Sequence, residues 1–120
     1  MIAHVCKGSF TCQVREDRIL EIVIYGELLP SFARELVCQI RQAGPVAGLL
    51  LDVRNSIPLS MIRLSGCVDA LSRLSLPMAV VFLWTQQKDL AILLHPALLY
   101  RQRISYFTTV SDALAYLHEV

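Results

Sequence analysis

Ala47-Gly48-Leu49-Leu50-Leu51-Asp52-Val53-Arg54-Asn55-Ser56-Ile57-Pro58 is the stretch that decides the fold. Its consecutive leucines leave no polar face, so both sides of the strand they form must be covered. Strands of that kind belong to parallel sheets, whose crossover helices lie on the sheet faces. The run then leaves through an acid, Asp52, into the polar loop Arg54-Asn55-Ser56. Pro58 starts a helix, since its missing N–H costs nothing in a first turn. Ligands of open α/β sheets collect beyond the carboxyl ends of such strands, so a site is expected at this exit.

The same strand-loop-helix order repeats downstream. The helix after Pro58 carries Met61, Leu64, Val68, Leu71 and Leu74 on one stripe, with Arg63, Asp69, Ser72 and Arg73 off it. Gly66 sits mid-helix, where it either costs about 1 kcal/mol against Ala or permits close approach of another backbone. Ser75-Leu76-Pro77 breaks the helix, and Met78 to Trp84 predicts a second fully apolar strand. Thr85 suits the N-cap of a further helix with Leu90, Leu93, Leu94, Ala97 and Leu98 on its core side. Pro96 should kink or end that helix. Ile104 to Thr108 reads as the last strand. Thr109-Val110-Ser111-Asp112 is then a capping-box pattern with Asp in place of the usual Glu, leading a helix with Ala113, Leu114 and Leu117 inward.

Upstream, Phe10, Cys12 and Val14 alternate with Thr11, Gln13 and Arg15, the period of a half-buried strand. Glu16-Asp17 makes a tight connection to a second strand, Ile19 to Tyr25, so the chain opens with a hairpin. Gly26 to Ser31 turns into a helix with Pro30 in its first turn and Phe32, Leu36, Val37 and Ile40 on one face. Gly44-Pro45 ends it. The order is β-β-α-β-α-β-α-β-α: a single α/β domain over residues 1–120, mostly a parallel sheet with an antiparallel N-terminal edge strand. Right-handed crossovers are expected throughout.

Composition narrows the class. A chain of 120 residues makes one domain. Its hydrophobic fraction is 55%, high for a soluble domain. The apolar runs are broken by Ser75, Pro77, His95 and Pro96, short of the roughly 20 residues of a membrane span. With no basic stretch leading an apolar run, no signal peptide is expected and a cytoplasmic location is. Cys6, Cys12, Cys38 and Cys67 form no C-x-x-C pair and read as reduced core thiols. His4 and Cys6 alone fall short of a structural zinc site. Net charge is +1 with both signs dispersed, and nucleic acid is not expected as a partner. Arg101 and Arg103 read as favourable charges at a helix C-terminus.

Little in the chain is suited to catalysis. A receiver-type metal site needs several carboxylates around Asp52 and a Lys after the last strand. Glu27 is the one acid after an inner strand, and Thr108-Thr109 stands where the Lys is wanted. There is no glycine-rich phosphate loop and no G-x-S-x-G elbow. His95 and His118 have no evident nucleophile beside them in sequence. The chain reads as a non-enzyme without cofactor or metal.

The strand order and three local stretches resemble the STAS domain family, which includes the SpoIIAA-like anti-sigma factor antagonists. These are the second strand with Gly26-Glu27-Leu28, Leu50-Leu51-Asp52-Val53, and Phe107-Thr108-Thr109-Val110-Ser111-Asp112-Ala113-Leu114. The family's phosphorylatable Asp-Ser-Ser-Gly segment is missing: Leu59-Ser60-Met61-Ile62 stands in its region. The resemblance implies a non-enzymatic bacterial regulatory module that docks a protein partner, a regulator or kinase, through the loop after the third strand. Asp52, Arg54, Asn55, Ser56, Ser60 and Arg63 are the partner-binding candidates, and Ser56 and Ser60 the phosphorylation candidates. It also implies helices gathered on one side of the sheet. The doubly apolar strands then need another cover, the N-terminal segment, a partner subunit or a ligand, and a homodimer is expected. A second reading, a carrier or sensor of a small apolar ligand such as a lipid, is motivated by the surplus apolar residues Ile92, Leu99 and Tyr100.

Overall fold

The period-two alternation at Phe10, Cys12 and Val14 makes an edge strand, β1 (Ser9–Val14), one face of which packs on the core while the other meets solvent. It pairs antiparallel with β2 (Ile19–Tyr25), in register from Ser9 opposite Tyr25 to Val14 opposite Leu20. These features belong to a computed structural model that describes residues 8–56, 61–86 and 104–120. The connecting turn closes with Arg15 N donating to Ile19 O at 2.8 Å and Arg18 N donating to Arg15 O at 3.0 Å. Arg18 takes a left-handed φ of 67°. Its guanidinium donates to the Pro45 carbonyl, and its own carbonyl accepts from Ala47 N at 2.8 Å. The hairpin turn is thereby fastened to the segment that leads into the central strand.

That central strand is β3 (Gly48–Asn55), parallel to β2 on one side and to β4 (Met78–Val81) on the other. β5 (Ile104–Phe107) adds parallel to β4, and the sheet runs β1-β2-β3-β4-β5. The mostly parallel sheet with its antiparallel N-terminal edge strand is the predicted one. β4 is shorter than the run Met78 to Trp84. Phe82 N still donates to Phe107 O at 2.9 Å, but the Leu83 N–H goes to the side chain of Gln86 instead of a neighbouring strand. The chain there bends into a single 3-10 turn, Trp84–Gln86, and Trp84 is 70% exposed. Thr85 lies inside this turn. The expected helix after it, with Leu90 to Leu98, and the residues Ile92, Leu99, Tyr100, Arg101 and Arg103 lie outside the described residues, as do His4, Cys6 and His95.

Three α-helices are present among the described residues: α1 (Phe32–Gln42), α2 (Met61–Ser72) and α3 (Val110–Glu119). Pro30 lies just before the α1 N-cap, Ser31, rather than inside the first turn. Helices α1 and α2 pack side by side on one face of the sheet. Between them and the sheet lies the larger core, with Leu20, Ile22, Ile24, Leu49, Leu51, Val53, Leu64, Leu71 and Val80. Helix α3 begins as its capping pattern predicts: Thr109 is extended and its hydroxyl accepts from Asp112 N at 3.2 Å.

α3 also corrects an expectation. It lies on the opposite face, where Ala113 and Leu117 pack with Ile19, Leu50, Ala79 and Val81 into a second, smaller core. The apolar second face of β3 and β4 is thus covered by the chain's own C-terminal helix. A homodimer seated on that face would need it open, and α3 closes it. Two smaller corrections concern helix surfaces. Cys38 is exposed on α1 rather than a core thiol, while Cys67 is buried on α2. Gly66 lets no backbone approach, since a Cβ there would meet nothing within 4 Å.

Candidate functional site

The carboxyl ends of the parallel strands gather the residues that the sequence marked. β3 carries one extra residue against β2 here: Val23 stands opposite Asp52, yet Tyr25 stands opposite Asn55. Such a bulge takes the extra residue out of the regular ladder. Asp52 supplies a local acceptor instead. Its carboxylate receives Arg54 N at 3.0 Å, Arg54 Nε at 3.0 Å and Arg54 Nη2 at 2.8 Å. Asp52 is only 4% exposed, and a buried carboxylate is tolerable when paired and hydrogen-bonded in this way. The hydrogen bond to Asp52 in turn raises the pKa of Arg54, so its charge is fixed.

Ser56 is fully buried. Its hydroxyl donates to Gly26 O at 2.8 Å, and Gly26 N donates to Asn55 O at 2.9 Å. Gly26 has a φ of 68°, a conformation that glycine takes without steric cost. The exits of β2 and β3 are stitched together by these two bonds. A third element joins through Gln86, which is 6% exposed. Its Oε1 accepts from Leu83 N at 2.8 Å, and its Nε2 donates to Val53 O at 3.2 Å and to Ser56 O at 3.3 Å. No periodicity or motif points to Gln86. A polar residue directly after an apolar strand is all the sequence offers.

The remaining candidates divide. Arg63, in the first turn of α2, donates to the Glu27 carboxylate and to Leu28 O at 3.2 Å, holding α2 against the β2–α1 loop. Asn55 is exposed at the strand end. Ser60 lies outside the described residues. Asp52 and Ser56 are therefore internal to the edge, Arg63 braces it, and Asn55 faces outward.

Two hollows flank this edge. A groove of about 400 Å³ runs between α1 and α2, lined by Leu29, Pro30, Ala33, Ile62, Arg63, Gly66 and Cys67. Ile62 at its rim is 87% exposed. Burial pushes the Cys67 thiol up to about 12, so it is protonated and unreactive at neutral pH. A smaller cleft of about 290 Å³ is lined by Arg54, Phe82, Leu83, Trp84 and Thr108. Among the described residues, no three His, Cys, Asp or Glu side chains come together as a metal site, and no helix is long and apolar enough to cross a membrane.

This arrangement of sheet and helices has a solved counterpart. The crystal structure of an anti-sigma factor antagonist from Mycobacterium paratuberculosis superposes with a TM-score of 0.70, covering 94% of this chain and 96% of that one. The chain has the STAS fold. Sequence identity across the match is 13%, so the likeness is one of fold. No family model matches the chain, and neither does any curated protein sequence. Within the STAS fold, the stretches Gly26-Glu27-Leu28, Leu50-Leu51-Asp52-Val53 and Phe107 to Leu114 hold the places that their resemblance implied: exit of β2, body of β3, and end of β5 with the capped start of α3.

Proposed function

We propose that this chain is a non-enzymatic regulatory module that docks a protein partner at the carboxyl edge of its sheet and on the adjoining α1–α2 face. The observation that carries this reading is the apolar groove between the two helices, with Ile62 standing almost fully exposed at its rim. An isoleucine in that state is far from its usual environment. It lies one residue from Arg63, which braces the loop edge. The solved structure of like fold is an anti-sigma factor antagonist, and a partner of the corresponding kind, an anti-sigma regulator or kinase, fits this reading.

Asn55 and Ile62 are the outward-facing contacts in this proposal; Asp52, Ser56 and Arg63 maintain the edge on which they stand. The reading assigns a phosphate switch to Ser60 rather than Ser56. A phosphate on Ser56 would need the hydroxyl to leave Gly26 O and a dianion to enter a fully buried position. Calorimetric titration against the cognate regulator tests the docking. Ile62→Asp and Asn55→Asp should each weaken binding by about tenfold or more while leaving the circular dichroism unchanged, as expected for contacts near the centre of an interface. Undiminished binding by the double variant would remove the surface. Mass spectrometry after incubation with ATP and the kinase tests the switch, and a phosphate found on Ser56 would overturn its assignment.

A further inference from the structure

Neither Asn55 nor Ile62, the outward-facing contacts just proposed, lines the neighbouring cleft formed by Arg54, Phe82, Leu83, Trp84 and Thr108. It opens at the carboxyl ends of β3, β4 and β5, where parallel sheets hold ligands. Its polar chemistry is concentrated in one group. Arg54 is held by two side-chain bonds to the buried Asp52 carboxylate, through Nε and Nη2, which leaves Nη1 for another acceptor. The guanidinium is therefore oriented before any ligand arrives, and little side-chain entropy remains to be lost on binding. The side chain keeps 36% of its surface open. Trp84, with 70% of its surface exposed, lines the same cleft, and Thr108 adds a hydroxyl able to donate or accept.

We propose that this cleft binds a small organic anion with a planar body: the anionic oxygens meet the outer edge of the Arg54 guanidinium and the Thr108 hydroxyl, and the planar body lies against Trp84 and Leu83. The volume of about 290 Å³ suits a single ring with its acidic group and is small for a larger ligand. Asp52 already balances the Arg54 charge. Attraction for the anion thus comes from oriented N–H and O–H donors and from ring contact rather than from net charge. A ligand of about ten non-hydrogen atoms held this way binds in the millimolar range. Carboxylate and phosphate present the same oxygen pattern to a guanidinium, so both are admitted by the geometry.

Trp84 is the single tryptophan of the chain, so its fluorescence reports directly on the cleft. The full chain is titrated with benzoate, phenyl phosphate, inorganic phosphate and benzamide. Benzoate or phenyl phosphate should change the emission saturably, and the tighter of the two identifies the acid. Inorganic phosphate should bind more weakly, and benzamide should not saturate. Arg54→Lys keeps the charge but loses the fork and should weaken binding by about tenfold. Thr108→Val should weaken it severalfold, and serves alone should Arg54→Lys disturb the fold through Asp52. Three results would each overturn the proposal: benzamide binding as tightly as benzoate, no saturation by either acid up to about 20 mM, or a Thr108→Val protein that titrates like the wild type.

Discussion

Gln86→Leu removes a side chain whose three hydrogen bonds join β3, the loop beyond it and the exit of β4. Leucine is no smaller than glutamine, so the substitution leaves no cavity and tests the hydrogen bonds. Val53 O retains a partner, because Ser56 N also donates to it at 3.0 Å. The groups left stranded are Leu83 N–H and Ser56 C=O. Each net bond is worth about 1 to 1.5 kcal/mol, and the apolar leucine returns part of the loss through burial. The expected cost is about 2 kcal/mol. Urea denaturation reads it: with a slope of about 1.5 kcal/mol per molar, the midpoint falls by about 1.3 M. Gln86→Glu provides an internal control. It keeps the acceptor for Leu83 N but faces two carbonyl oxygens with a carboxylate, so its folded-state pKa is raised. A raised carboxyl contributes stability that is full below the unfolded value and is lost as pH rises through the folded one. Gln86→Glu should therefore be the less stable variant at pH 7 and should recover as the pH is lowered. A leucine variant with an unshifted midpoint and unchanged slope would refute the claim that Gln86 ties the edge together.

Gly66→Ala should stabilise the protein by about 1 kcal/mol, raising the melting temperature by about 4 °C, because the new Cβ enters open space on a helix. Differential scanning calorimetry reads this directly. Leu50→Ala empties part of the small core under α3 and should cost about 2 to 5 kcal/mol, with hydrogen exchange speeding up first in Val110–Glu119. Asp17 accepts from Ile19 N and lies 2.7 Å from His118 Nε2, and the bond to His118 holds its carboxyl below the ordinary value of 3.8. That contribution is present above pH 3.8 and disappears as the pH falls through the lower folded value. Asp17→Asn should accordingly lower the urea midpoint at pH 7 and match wild type in strong acid; the pair is exposed, so the shift is small.

The succession of strands along the chain and their directions are legible because the apolar pattern of each strand matches its surroundings. Phe10, Cys12 and Val14 alternate on an edge that packs one face, and Leu49, Leu50 and Leu51 run together where helices cover both. The capped start of α3 was legible for a similar reason: a cap is local chemistry, completed within Thr109 to Asp112. What could not be read is the side of the sheet that a helix takes. The apolar face of α3 would suit either, and its place is fixed by contacts with Ile19, Leu50, Ala79 and Val81, scattered over the chain. The end of β4 is hidden from the sequence for a related reason. Phe82, Leu83 and Trp84 continue the apolar run, but the ladder stops where Gln86 captures the next N–H, a competition that apolar pattern does not show.

The strand exit at Asp52 follows from the same contest between local and distant partners. A buried acid beyond a parallel strand resembles the start of a metal or phosphoryl site, because such sites need ionised oxygens. Here the acid's acceptor capacity is taken up by one residue two places along the chain. Beside the register shift of β3, the N–H, Nε and Nη2 of Arg54 all donate to Asp52. A carboxylate so occupied has little left for a cation, and its nearest positive charge would repel one. The chemistry of the exit is thereby inverted. Asp52 is the group that fixes, and Arg54 is the group that lines the open cleft with Trp84 and Thr108, where the anion is proposed to bind. Exchanging the two residues would keep the ion pair's composition and bury the wrong end. Asp52→Arg combined with Arg54→Asp should therefore lose the cleft's anion binding, and should lose stability as well, because a guanidinium is much larger than the carboxylate it would replace at a position only 4% exposed.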